Sequence, residues 1–132
     1  MSKADHFGQY LGYEVLPPEG PGQLPRFRMT IADRHLSGAG VSHGGAVFSL
    51  IDFAMGATLI FQVQPEGQSC STVGLQIEYL RPVPKGTTLT VHTVIEHQGR
   101  SIARLRADAY NQDGKKVALA TGTFNIYTPK KR

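Results

Sequence analysis

Cysteine is almost absent from the 132-residue chain: Cys70 stands alone, so no disulfide can close within it. There is no CxxC and no cysteine–histidine cluster, which argues against structural zinc, and no metal is expected. A reducing, cytoplasmic setting fits this usage best. Excess charge is scarce too. The formal net charge is +4, and the end Lys130-Lys131-Arg132 supplies most of it. The rest of the chain is close to neutral and carries no basic stripe of the kind a nucleic-acid binder needs. The first residues, Met1 to His6, open onto no apolar core, so no signal peptide is expected. No internal repeat or low-complexity tract breaks the chain. Its length suits one domain over residues 1–132, able to bury a core without metals or disulfides. Residues 1–6 and 128–132 are expected to be flexible ends.

What is present is one long apolar stretch and several alternating ones. Pro17 to Gly22 is a turn or loop, and Tyr10–Leu16 before it reads as a short strand or helix. Leu24–Ala32 alternates Phe27, Met29 and Ile31 against Arg26, Arg28 and Thr30, a half-buried strand. A glycine-rich loop from Ser37 to Gly45 leads into an apolar segment, read as a helix over roughly residues 44–61. Such a helix either spans a membrane or is buried in protein. A span is disfavoured because Asp52 falls near its middle, where a charge costs about 2.5–3.5 kcal/mol even on a lenient scale. The remainder reads as strands at Thr72–Leu80, Thr88–Glu96, Ser101–Tyr110 and Lys116–Tyr127. Asn111 to Gly114 signals a hairpin. One helix followed by four consecutive strands predicts an α+β fold with an antiparallel sheet around a central helix.

Asp52 is the first candidate for chemistry. A carboxylate in an apolar stretch is costly to bury unless it is paired, hydrogen-bonded or working. Its neighbours on the helix face include Gly45, Phe48, Ser49, Met55 and Gly56, several of them small enough to leave room for a ligand. It is either a structural anchor bonded to loop amides or a general base or nucleophile in an apolar pocket. Gly44 and Gly45 open the same helix, where the first amides lack internal partners and sit at the positive end of the dipole. That geometry stabilises an oxyanion in acyl transfer, although glycines also serve turns for steric reasons alone. Eight residues separate Gly44 from Asp52, ~12 Å along one helix at 1.5 Å per residue. One bound carbonyl does not reach both, so if both act, two antiparallel helices from two copies must share each site. No Ser–His–Asp setting, P-loop or dinucleotide fingerprint is present.

These residues resemble the hotdog-fold acyl-CoA thioesterases of the PaaI-like (phenylacetate-degradation) group. The resemblance runs from about residue 7 to 127. It rests on His35-Leu36 and Gly40 leading to His43-Gly44-Gly45, on Asp52 seven positions later, on Tyr79-Leu80-Arg81-Pro82, on Gly99-Arg100, and on Ala118 to Phe124. It implies a sheet wrapped around the long helix, and homodimers with composite sites that pair again into tetramers. It implies hydrolysis of an aryl-, short- or medium-chain acyl-CoA, with CoA as part of the substrate and no other cofactor. The Gly44 amide would polarise the thioester carbonyl, and Asp52 of the neighbouring copy would attack it or activate water. Thr72 would help position the water, and His43 would contact the substrate or steady the loop. Gly45, Phe48 and Met55 would border the acyl group, and Arg81, Lys85 and Arg100 would meet the anionic nucleotide.

One departure stands out. The group usually carries Asn where this chain has Ser37, so a hydroxyl replaces the amide that helps hold carbonyl and loop. Two alternatives follow: a non-catalytic acyl-CoA sensor on the same fold, or a hotdog hydratase or dehydratase using His35. The acyl preference, the pathway role and the choice between nucleophile and base are not readable from the sequence.

Overall fold

The computed structural model describes residues 4–130. Near its start Asp5 caps a short helix, α1 (His6–Leu11): the carboxylate accepts from Gly8 N at 2.9 Å and from the Tyr13 hydroxyl at 3.2 Å. Asp5 and His6, within the end expected to be flexible, thus form the cap and first residue of this helix. Residues 1–3 and 131–132, including most of the basic end, lie outside the described residues, and 128–130 carry no regular structure.

Six strands follow the hydrophobic alternation: β1 (Glu14–Leu16), β2 (Arg26–Thr30), β3 (Ser69–Tyr79), β4 (Thr88–Gln98), β5 (Ile102–Tyr110) and β6 (Lys116–Tyr127). They form one antiparallel sheet in the order β1-β2-β4-β5-β6-β3. The chain thus makes β3 an edge strand, paired only to β6. β2 starts two residues later than expected because Pro25 has no N–H to give a ladder. The hairpin at Asn111–Gly114 closes as expected. The Asn111 side chain accepts from Asp113 N at 3.0 Å and Lys115 N at 2.9 Å, and Gly114 takes φ 75°, a conformation that favours glycine.

The central helix, α2 (Gly44–Val63), lies across one face of this sheet. It is long and apolar enough to cross a membrane by length and composition. Here its apolar side is instead packed on the strands: Leu50, Ile51, Ala54, Met55 and Leu59 are fully enclosed. They meet Ala103, Leu105, Ala107 and Ala109 of β5, Phe124 of β6, and Phe27 and Met29 of β2 in one core. The alanines of β5 are small enough for the larger helix side chains to settle close to the sheet, which keeps the interior near crystalline density. Burying each leucine contributes about 1.5–3 kcal/mol. A single buried polar tie crosses this layer among the described residues: the hydroxyls of Thr58 on α2 and Thr93 on β4 bond to each other at 2.8 Å. The wrapped sheet and single long helix are the hotdog architecture the sequence predicted.

Candidate active site

The loop before α2 is built to hold its first turn in place. His35 is 2% exposed and both ring nitrogens are engaged: Nδ1 accepts from Ala32 N at 2.9 Å and Nε2 donates to the Leu11 carbonyl at 2.8 Å. This pattern needs a neutral imidazole with its proton on Nε2. It ties the end of α1 to the loop. Ser37 closes the next stretch: its hydroxyl donates to the Val41 carbonyl at 3.0 Å and accepts from Ala39 N at 3.3 Å. Gly40 turns the chain at φ 81°. Ser37, expected at the reaction centre, is thus committed to shaping its own loop.

His43 is the N-cap of α2, its Nδ1 accepting from Gly45 N at 2.8 Å. The His43 amide donates to the His35 carbonyl at 2.7 Å, and the His43 carbonyl accepts from Ala46 N at 3.0 Å and the Ser42 hydroxyl at 3.2 Å. The Gly44 carbonyl accepts from the Tyr79 hydroxyl at 2.7 Å. Among the described residues, the Gly44 N–H has no hydrogen-bond partner. A side chain at position 44 would bring its Cβ to 3.1 Å from the Tyr79 ring, a tight contact that favours glycine there.

Two turns along, Asp52 is half-buried and accepts a hydrogen bond from the Thr72 hydroxyl at 2.8 Å. It meets no cation among the described residues. Thr72 reaches it because β3 is irregular. In unbroken alternation Thr72 would share the outer face with Gly74, Gln76 and Glu78, as the sequence pattern reads. A bulge between Thr72 and Gly74 leaves Val73 as the extra residue, 63% exposed. Thr72 then pairs with Phe124, Leu75 with Gly122 and Ile77 with Ala120, partners that all face the helix. Bulges of this kind re-aim side chains beside functional sites. Thr72 is also the fourth residue of its strand, not the first. On the same face Cys70 donates weakly to the Gly56 carbonyl at 3.5 Å, and burial, with the nearby Asp52 charge, pushes its thiol up to about 11.

The remaining expected residues are scattered. Arg81 borders a groove of about 310 Å³ shared with Ser42, Gly44, Val47, Tyr79 and Leu80, and its Nε donates to the Lys116 carbonyl at 3.3 Å. Lys85 is paired with Asp33 at 2.7 Å on the surface. Arg100 stands in the β4–β5 turn, at the end of the sheet where β3 begins, whereas Arg81 follows the end of β3. Gly45 is exposed and borders a second groove of about 270 Å³ with Phe7, Tyr10, His43 and Ser49. Phe48 is half-buried. Met55 is fully enclosed and would lie against Gly122 and Phe124, so it shapes the core and does not line an open pocket. Among the described residues no three His, Cys, Asp or Glu side chains gather to hold a metal.

Two contacts escaped the sequence reading. The Tyr79–Gly44 bond joins residues 35 positions apart, and the only signal was an aromatic before Leu80-Arg81-Pro82. The stacking of Tyr13 on Phe53, with Phe7 beside it, docks α1 on the outer flank of α2 and had no periodic signature.

Comparison with known proteins places this geometry in a family. Residues 39–118 match the Thioesterase superfamily. Acyl-coenzyme A thioesterase PaaI of Escherichia coli is 33% identical over 94 residues, 71% of this chain and 64% of that protein. Human acyl-coenzyme A thioesterase 13 is 27% identical over 96% of this chain and 89% of its own. The solved E. coli PaaI structure superposes with a TM-score of 0.83 at 27% identity, covering 96% of this chain and 87% of that one. A Bacillus halodurans protein solved with CoA gives 0.81 at 30% identity, covering 95% and 78%. The chain belongs to the Thioesterase superfamily, as a PaaI-like member with the hotdog fold.

Proposed function

We propose that this protein hydrolyses acyl-CoA thioesters at a site shared between two copies of the chain. The observation that carries the reading is a pair of groups on one helix: an amide at Gly44 and a half-buried carboxylate at Asp52 that, among the described residues, have no partner and no cation respectively. About 12 Å of helix separates them, so a thioester carbonyl bound at Gly44 of one copy meets Asp52 of the other. The unpaired edge of β3, eleven residues long with Val73 exposed, supports pairing with a second copy, since a bare edge of that length invites another strand.

In this reading the Gly44 amide, at the positive end of α2, stabilises the charge that develops on the carbonyl oxygen. Asp52 takes a proton from the water that attacks the carbonyl carbon and passes it to the departing sulfur; if it attacks directly instead, water protonates the sulfur and a second water hydrolyses the acyl–aspartate anhydride. Thr72 fixes the carboxylate through its hydroxyl. The carbon–sulfur bond breaks, CoA leaves as its thiol and the acid is released. Arg81, beside the groove at Gly44, is the cation best placed to meet the anionic part of CoA. The CoA bound by the B. halodurans neighbour and the names of the relatives support CoA esters as the substrate class. Dehydration through His35 finds no support: its ring is enclosed and both nitrogens are occupied by backbone groups.

The test is thiol release from a panel of aryl-, short- and medium-chain acyl-CoA esters. Turnover of at least one ester is expected. A protein that binds CoA tightly yet releases thiol from none would be the sensor instead.

A further inference from the structure

Among the described residues the Gly44 amide has no partner, yet glycine is the residue least able to hold an amide in one direction. Something outside the helix must hold it. On one side the preceding peptide is fixed through the His43 carbonyl, which takes Ala46 N at 3.0 Å and the Ser42 hydroxyl at 3.2 Å. On the other side the next peptide is held at both ends: the Tyr79 hydroxyl reaches the Gly44 carbonyl at 2.7 Å, and Gly45 N donates to His43 Nδ1 at 2.8 Å. The Tyr79 ring lies so close that an added Cβ at residue 44 would approach Tyr79 carbon at 3.1 Å and oxygen at 3.2 Å. The Gly44 N–H lies in the plane of the first of these peptides, and Tyr79 ties the second, and so residue 44 itself, to the end of β3. Tyr79 is also the last residue of β3, the strand that carries Thr72 to Asp52.

We propose that Tyr79 is a positioning residue for the reaction: its hydroxyl and ring hold residue 44, the first of α2, against the end of β3 and so keep the Gly44 amide in register with the site. The inference rests on the hydrolytic reading above. It assigns Tyr79 no contact with the reacting atoms. It also explains why position 44 is glycine when the backbone there is helical and alanine would serve the helix better. Burial raises the Tyr79 phenol above its ordinary range, so the hydroxyl keeps the proton it donates throughout the working pH range.

The experiment compares the wild type with Tyr79→Phe, which keeps the ring and removes the donor. Steady-state kinetics on the best acyl-CoA ester should show kcat lower by about tenfold, the worth of one hydrogen bond, and KM within about twofold. Gly44→Ala, which pushes the ring away, should lose a similar factor, and the double variant should lose no more than the worse single one. In protein labelled with 15N-glycine, the resonance absent from Gly44→Ala identifies Gly44. It should shift or broaden in Tyr79→Phe, with the resonances of Gly20, Gly22 and Gly114 unmoved. Wild-type kcat in Tyr79→Phe, or a loss confined to melting temperature, would overturn the assignment. If the wild type hydrolyses no ester, the hydrolytic reading fails by itself and the Gly44 resonance still decides whether Tyr79 holds the amide.

Discussion

The sheet formed by β4, β5 and β6 and the first two turns of α2 are held by different means. In the sheet, identity hardly matters beyond size and polarity. Ala103, Leu105, Ala107 and Ala109 face the helix because every second residue must, and each is fully enclosed. Around the start of α2, single atoms decide. Removing one hydroxyl, at Ser37, Thr72 or Tyr79, removes a specific bond. The first region stores stability and the second directs it, so changes in the two should separate in experiment.

The largest effect should come from the second region. Asp52→Ala is expected to lower kcat by at least about 100-fold, the usual worth of a general base. The melting temperature should hardly move, because among the described residues Asp52 has one side-chain hydrogen bond and no ion pair to lose. The mirror case is Leu105→Ala in the sheet. The cavity it leaves should cost about 2–5 kcal/mol in denaturant unfolding, with turnover per folded molecule unchanged. Equal loss of turnover in both would erase the distinction. Thr72→Val keeps the shape of β3 and deletes the bond to Asp52; about a tenfold fall in kcat is expected, read with stability unaltered.

Two smaller predictions sharpen the boundary between the regions. The Cys70 thiol, pushed up to about 11 by burial first and the Asp52 charge second, is almost wholly protonated at pH 8. Alkylation by iodoacetamide should therefore be much slower than for a free cysteine, and it should speed up as pH rises. Asp52→Asn removes the charge and should speed it up several-fold at fixed pH. No change on that substitution would mean the two groups do not feel each other. The smallest effect is expected from Arg81→Ala: KM for a CoA ester rises a few-fold at low salt, and the difference fades at high salt as screening takes over.

The same contrast explains what the sequence made legible. Strand alternation and the apolar helix were readable because burial imposes a period on many residues at once. The Gly44–Asp52 spacing was readable because both lie on one helix. Thr72 was found through the resemblance, whereas simple alternation pointed it to the wrong face, since one extra residue at Val73 inverts the pleat. Tyr79 was invisible as a site residue because its partner is a backbone carbonyl 35 residues away. Met55 was misread because its place on the helix face near Asp52 does not reveal that Gly122 leaves a hollow for it on β6. Contacts of that kind depend on tertiary placement, and no local pattern encodes them.

Complementation between two dead variants tests the shared site most directly. Asp52→Ala lacks the acid. Gly44→Pro lacks the amide, at the first helical position where proline is tolerated. Each alone should be inactive. When the two are unfolded and refolded together in equal amounts, half the dimers are mixed and each mixed dimer keeps one intact site, so about a quarter of wild-type turnover should return. A mixture as inactive as its parts would contradict the account, because it would place both groups of every site in the same copy of the chain.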